Sequence, residues 1–386
     1  MSRLVATKYK HDQNMMTIDW YVGKRCNFSC SYCADFIHDN YSSHVPFEKM
    51  KIFVDKITQI YGTKIHWSLT GGEPTINPDF LKLCKYLQDK KGDVSVCTNG
   101  SRSLDYLFQM YELVDNIVLS LHFEHISKQL DQYAEKALAL EKWRMEWNRN
   151  IPAEKKGWGP GKIRPKTFIL RFMVVPGFSK EINDLSHRLS SHFQKVEYRV
   201  IRPQKENFVD RHKVKTKKGF YKWKERPDTS PISQNTKVAP NQDNISQKEE
   251  LIQREQKWYS EEDRKTMEKF YKKINPNRKW LIGFIEKDNG DIAQEEYYYN
   301  DLNYQGKTKF TGWTCYAGVR LLKIAPNGDI FIANCFQGGA LGNIYSIDDN
   351  FEPPKEPVIC KKFRCTDPLD LRQVKYIDKK YKHLIE

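Results

Sequence analysis

Cys26, Cys30 and Cys33 fall within the short run CNFSCSYC. Thiolates at that spacing bind a metal or an iron–sulfur cluster. A cubane cluster ordinarily takes four cysteines, so three leave one iron open for a substrate or cofactor. Catalytic zinc sites keep an open position for the same reason. The competing reading is a structural zinc site with His38 as the fourth ligand, although closed zinc sites usually join two ligand pairs at comparable spacing. A second set, Cys315, Cys335, Cys360 and Cys365, lies near the other end of the chain. Four thiolates make a closed site. Cys84 and Cys97 each stand inside an apolar pattern and read as small buried hydrophobes.

These residues need a scaffold, and the pattern up to about residue 201 supplies one. Short β-rich runs alternate with amphipathic helical stretches, the signature of βα units around a parallel sheet. Strands are predicted over 17–22, 65–69, 94–97, 117–121, 168–175 and 196–201. Between them Met50, Phe53, Ile57 and Ile60 recur at helical spacing, as do Phe80, Cys84 and Leu87, then Leu104, Leu107, Phe108 and Tyr111. Leu130, Tyr133 and Leu140 mark a fourth helix, and Leu185, Leu189 and Phe193 a fifth. The three-cysteine loop follows the first strand, at the carboxyl mouth where such folds place their active sites. At the end of the second strand, in TGGEPTINPDF, Gly71 and Gly72 allow close backbone approach and Glu73 offers a carboxylate to an ammonium group. TNG (98–100) and LSLHF (119–123) bring Asn99, Ser120 and His122 to the same mouth.

CNFSCSYC resembles the CxxxCxΦC loop of the radical S-adenosylmethionine (radical SAM) superfamily, with Tyr32 in the aromatic position, and TGGEP resembles that superfamily's GGE motif. The resemblance covers residues 17 to about 201. It implies an α/β fold, a partial (β/α)6 TIM-like barrel with a [4Fe-4S] cluster on Cys26, Cys30 and Cys33. By the same resemblance SAM is bound by Tyr32, Gly71, Gly72, Glu73, Asn99 and Ser120, with His122 where many relatives carry Asp. Arg171, on a strand otherwise apolar, is either a SAM carboxylate ligand or an outward-facing surface arginine. The C-terminal cysteines, with the hairpin KIAPNGDIFIANC and GNI (342–344), resemble the twitch domain, the shortened SPASM domain. That implies a small α+β domain holding a second, auxiliary [4Fe-4S] cluster. Cys360 and Cys365 are spaced more widely than a Cys-x-x-Cys pair, so zinc is the alternative there.

The implied chemistry is reductive cleavage of SAM to methionine and a 5′-deoxyadenosyl radical, which abstracts hydrogen from an unreactive carbon. A nearby auxiliary cluster favours net oxidation, a dehydrogenation or a bond formation. The electron comes from an external donor such as a flavodoxin or ferredoxin. About 16 residues precede the first predicted strand. That leaves no room there for a leader-binding domain, and a small polar metabolite such as an aminocyclitol, sugar or nucleotide derivative is preferred as substrate. Ribosomal peptide maturation is the runner-up.

The expected division is 1–202 for the barrel, 203–256 for a basic insertion and 257–386 for a helix plus the auxiliary domain. Residues 205–226 interleave Lys and Arg with Phe208, Phe220, Tyr221 and Trp223, either to grip an anionic substrate, or as a lid, or as a solvated loop. Beyond it, Ser260 and Asp263 form a capping pattern ahead of Met267, Phe270 and Tyr271, and two hairpins follow. The net charge of +15 favours anionic partners. A zinc-containing nucleic-acid-binding protein is the alternative of another class, resting on that charge alone; nucleic acid is not the expected partner. No apolar stretch reaches the roughly 18 residues of a membrane span and no signal peptide is evident, which predicts a cytoplasmic protein.

Overall fold

The computed structural model describes residues 2–10, 15–33, 36–157, 161–201, 213–215, 221–223, 259–263, 265, 280–297, 302, 307–347, 350–362, 365 and 367–385. After a first strand, β1 (Arg3–Tyr9), six strands pair in parallel and in chain order: β2 (Met16–Tyr21), β3 (Ile65–Thr70), β4 (Asp93–Thr98), β5 (Asn116–Leu121), β6 (Thr167–Val174) and β7 (Val196–Val200). Helices α1 (Phe47–Tyr61), α2 (Phe80–Asp89), α3 (Leu104–Leu113), α4 (Phe123–Ile126), α5 (Leu130–Asn150) and α6 (Ser179–Leu189) lie between them. This is the expected βα succession, each strand within two residues of its predicted bounds.

Period-two alternation assigns the two faces of the sheet. Ile18 and Trp20, Trp67 and Leu69, Val94 and Val96, and Leu119 and Leu121 join Met50, Phe53, Ile57, Phe80, Leu83 and Leu87 of the helices in one buried core. Trp20 and Trp67 both meet the Phe53 ring edge-on, at centroid distances of 5.1 and 6.2 Å. Ile60, expected in that stripe, is exposed. The alternate positions carry Asp19, His66, Ser68, Cys97, Ser120, Arg171 and Glu197, so the opposite face is polar. The sheet is thus apolar on its helix side and polar on the other.

The strand pairing crosses the expected domain division twice. β10 (Leu281–Glu286) and β11 (Ile292–Tyr297) form the first predicted hairpin, and β10 pairs antiparallel with β1. The N-terminal strand therefore belongs to the C-terminal sheet, in which β17 (Lys375–Tyr376) also pairs with β1, and β12 (Thr314–Cys315) lies between β17 and β16 (Val358–Ile359). The second predicted hairpin, β13 (Leu321–Ile324) with β14 (Asp329–Phe331), joins the first sheet instead: β13 runs parallel to β2, and β15 (Gly342–Asn343) follows β14 at the edge. Its anchor is visible chemistry. Leu322 and Ile324 enter the main core, while Lys323 Nζ on the other face donates to Asp19 Oδ2 at 2.7 Å. Among the described residues nothing pairs β7 with β15, so the sheet stays open.

Within the basic insertion, β8 (Lys213–Lys215) and β9 (Tyr221–Trp223) pair antiparallel; Phe208 and Phe220 lie outside the described residues. The predicted capping box is present. Ser260 N–H and Oγ donate to Asp263 Oδ2 at 3.0 and 2.9 Å, and Asp263 N–H donates back to Ser260 Oγ at 3.0 Å. Met267, Phe270 and Tyr271 fall outside the described residues. No helix among the described residues is long and apolar enough to cross a membrane.

Candidate metal centres and active site

The path of the cysteine loop is dictated by the two glycines of the neighbouring strand end. Beyond the β2–β3 pairing, Gly72 N–H donates to Gly23 O at 3.0 Å and Glu73 N–H to Arg25 O at 2.9 Å, so the GGE backbone continues the ladder into the loop. A Cβ on Gly71 would lie 2.5 Å from Gly23 O, and one on Gly72 would lie 2.3 Å from the carbonyl oxygens of Lys24 and Arg25. Gly71 also has φ +139°, which glycine adopts freely. Cys26 N–H donates to Asp39 O at 2.6 Å and Asp39 N–H to Lys24 O at 3.0 Å, closing the loop at its base.

Inside the loop, Cys26 and Cys30 are buried and Cys33 is half-buried. Cys33 N–H donates to Cys30 O at 3.2 Å, and Phe28 N–H to Cys26 Sγ at 3.3 Å. Burial pushes the Cys26 thiol up to about 12, and a hydrogen bond with Cys33, then burial, raises Cys30. Among the described residues, the ligand atoms of Cys30, Glu124 and His125 lie within 4.8 Å of one another, and a metal group bound at this loop would supply the charge that deprotonates its thiols. His38, the candidate fourth zinc ligand, has Nε2 at 2.9 Å from Phe28 O.

A second element reaches this loop from the end of β5. His122 Nδ1 lies 2.6 Å from the Tyr32 hydroxyl and 3.4 Å from Cys30 Sγ, with the Tyr32 and His122 rings parallel. Burial, and then the charges of His125 and Arg171, push the His122 pKa down to about 3, so it is a neutral imidazole. Glu124 accepts from Ser31 N–H at 2.7 Å and from Ser31 Oγ at 2.5 Å. His125 Nε2 accepts from Ser29 N–H at 3.1 Å while its ring stacks on Phe28 at 4.4 Å. Glu124 and His125 were not singled out in the sequence. The available signal was the crowding of His and Glu immediately after a predicted strand.

Glu73 is buried, and its carboxylate already has four donors. Thr75 N–H (3.1 Å), Thr75 Oγ1 (2.6 Å) and Thr98 Oγ1 (2.7 Å) donate to Oε1, and Asn99 N–H (2.6 Å) donates to Oε2. Burial raises its pKa. Glu73 thus ties the ends of β3 and β4, whatever else it contacts. Asn99 Nδ2 donates to Asn27 Oδ1 at 3.0 Å, which links the TNG turn to the cysteine loop.

Ser120 is placed deeper, with its Oγ 3.4 Å from Cys97 Sγ. Arg171 Nη1 approaches the same sulfur at 3.7 Å and Nε donates to Glu197 Oε2 at 2.9 Å. Arg171 is therefore on the polar inner face, against the outward-facing alternative. Cys97 sits among polar groups rather than in the core, because its strand position points away from the helices; Cys84 on α2 is buried as expected.

The four C-terminal cysteines come together from four separate places. Cys315 is on β12, Cys335 follows β14, Cys360 N–H donates to Trp313 O at 2.8 Å, and Cys365 N–H donates to Thr308 O at 2.9 Å. Burial pushes Cys335 up to about 12 and raises Cys360 and Cys365, and each of the three also feels Cys315. The wide final spacing is accommodated by the return of the chain past Trp313. A helix, α7 (Pro368–Arg372), is tied beside this set by Asn334 N–H donating to Asp370 Oδ1 at 2.9 Å. Four buried or half-buried thiols, three of them within the electrostatic reach of Cys315, are the donor set that a closed metal site would need.

Fold and site together define an α/β protein with a three-cysteine loop at the carboxyl edge of a parallel sheet. Residues 20–144 match the family model of the Radical SAM superfamily. A probable GTP 3′,8-cyclase of Sulfurisphaera tokodaii is 34% identical over 30% of this chain and 37% of its own length. An S-adenosylmethionine-dependent nucleotide dehydratase of Selenomonas ruminantium is 27% identical over 23% of this chain and 31% of its own. The match thus spans about a third of each relative. Among solved structures, native anSMEcpe with bound AdoMet superposes with TM-score 0.44 and 13% identity, covering 86% of this chain and 78% of that one.

Proposed function

We propose that the chain binds a [4Fe-4S] cluster on Cys26, Cys30 and Cys33, binds SAM at its open iron, and acts on a small polar metabolite, with nucleotide derivatives the favoured class. The observation that carries this reading is the seating of the three-cysteine loop directly on the GGE strand end. The loaded site would supply the electron that cleaves SAM to methionine and a 5′-deoxyadenosyl radical. An external one-electron donor such as a flavodoxin or ferredoxin would feed it.

The chain's own residues orient and enclose. Gly71 and Gly72 leave backbone exposed beside the loop, and Glu73 and Asn99 hold the lip at which the SAM ammonium and ribose would sit. Tyr32 and His122 close the loop from the β5 side. Ser120, Arg171 and Glu197 present hydroxyl, cation and carboxylate on the inner face, suited to a substrate with several polar groups. The curated relatives named as a GTP cyclase and a nucleotide dehydratase support a nucleotide-like substrate. A second cluster on Cys315, Cys335, Cys360 and Cys365 would give the substrate radical an electron acceptor, which favours net oxidation.

Anaerobically reconstituted protein, given SAM, reductant and a panel of nucleotides, sugars and aminocyclitols, tests the reading by substrate-dependent 5′-deoxyadenosine formation. Stimulation by a nucleotide is expected. Stimulation by other members alone would discard the substrate class, and a protein that never consumes SAM would discard the reaction.

A further inference from the structure

Two lysines are almost completely buried on opposite sides of the junction between the sheets, and their surroundings differ. Lys323 has a carboxylate, Asp19, at 2.7 Å. Lys375 is just as inaccessible, at 1% exposure, yet among the described residues it forms no ion pair with a carboxylate. Its Nζ donates to two backbone carbonyls, Asp370 O and Gln373 O at 3.0 Å, at the end of α7. Carbonyl dipoles satisfy its N–H groups without cancelling its charge. An uncompensated buried ammonium costs several kcal/mol by ordinary desolvation, so a fold that keeps one is expected to place a negative group beside it.

The groups beside it are an aromatic ring, Phe310, whose centroid lies 5.3 Å from Nζ, and a thiol. Cys315 and Lys375 are directly opposed partners on the antiparallel strands β12 and β17, which puts both side chains on one face at cross-strand contact distance. The Asp370 carboxylate accepts from Asn334 N–H through Oδ1 and makes no ion pair with Lys375 among the described residues.

We propose that the Lys375 ammonium is the counter-charge of the metal–thiolate group held by Cys315, Cys335, Cys360 and Cys365, and that it sets how readily that group accepts an electron. This rests on the reading that these cysteines hold a cluster. Reduction adds one electron and one negative charge to the group, with no bond made and no proton moved. A fixed cation in a low-dielectric site stabilises the added charge and raises the reduction potential.

The test uses the full chain with Cys26→Ala, Cys30→Ala and Cys33→Ala, so that the C-terminal cluster alone remains. Iron content is read first. Lys375→Met and Lys375→Arg are then compared by the EPR signal of the reduced cluster at one fixed potential set by a chemical reductant. The methionine variant should lower the reduced-to-oxidised ratio by roughly tenfold or more, and arginine should restore most of it. Loss of iron from the methionine variant alone, with arginine loading fully, would equally support a required charge. An unchanged ratio, or loss of iron from both variants, overturns the proposal and leaves Lys375 as a tie to the end of α7. A parent protein holding zinc and no iron overturns the cluster reading itself, and the redox role of Lys375 with it.

Discussion

The two cysteine sets solve the same problem of gathering thiols by opposite means. Cys26, Cys30 and Cys33 are local: one loop supplies all three, and its shape comes from the Gly71–Gly72 backbone beneath it and from His122, Glu124 and His125 beside it. Cys315, Cys335, Cys360 and Cys365 are assembled from strands β12 and β14 and two loop returns, with Lys375 among them. A local loop can leave a coordination position open without losing its own structure. A metal held by ligands from four places would tie those places together and so contribute to folding. The first arrangement suits chemistry, and the second suits a resident group.

The largest effect that would break this contrast is removal of the open site. Cys26→Ala, Cys30→Ala or Cys33→Ala should each reduce SAM cleavage to background while thermal stability changes little, since the loop's anchors are backbone bonds at Lys24, Arg25 and Asp39. Cleavage retained in any of the three would show that the loop is not the centre. Gly72→Ala comes next: its Cβ has no space against Lys24 and Arg25, so the cost should be ~1–3 kcal/mol, as for other overpacked sites. Iron loading at the N-terminal site should fall, and a variant that melts and loads like the parent would remove the glycines from the account.

Glu73→Gln should weaken SAM binding, measured by equilibrium dialysis, by about 1.5–3 kcal/mol, the range for a hydrogen bond to a charged group. Unchanged affinity would leave Glu73 as the β3–β4 tie alone. Glu124→Ala should slow cluster assembly and leave partial loading, because Ser31 N–H and Oγ lose their acceptor; Glu124→Gln should restore it. Smallest of all, Cys97→Ser should change iron content not at all and stability by less than about 1.5 kcal/mol, since its neighbours Ser120 and Arg171 are already polar.

The same contrast explains what could be read from the chain in advance. The three-cysteine loop stood out in the chain because Cys26, Cys30 and Cys33 are close in sequence and follow one strand directly, just as Gly71 and Gly72 follow the next. The parallel strands β2–β7 were legible because each carries its own apolar alternation. What escaped were features that depend on distant partners. β1 is a short run with basic residues at both ends, and its place is set by β10, roughly 280 positions away, and β17, roughly 370 away. The joining of β13 to β2 rests on Lys323 meeting Asp19, and nothing near either residue announces the other. Lys375 was one lysine among many in a basic tail until β17 placed it opposite Cys315.

The claim that one site is open and the other closed is tested most directly by EPR of two reconstituted proteins, each recorded before and after SAM is added. The first lacks Cys26, Cys30 and Cys33; the second carries Cys315→Ala and Cys335→Ala. The first should retain about four irons in a cluster whose spectrum ignores SAM, because four thiolates complete its coordination. The second should retain a cluster whose spectrum shifts when SAM binds its free iron. A first protein that is colourless and holds zinc, or a second whose spectrum is unmoved by SAM, would contradict the account.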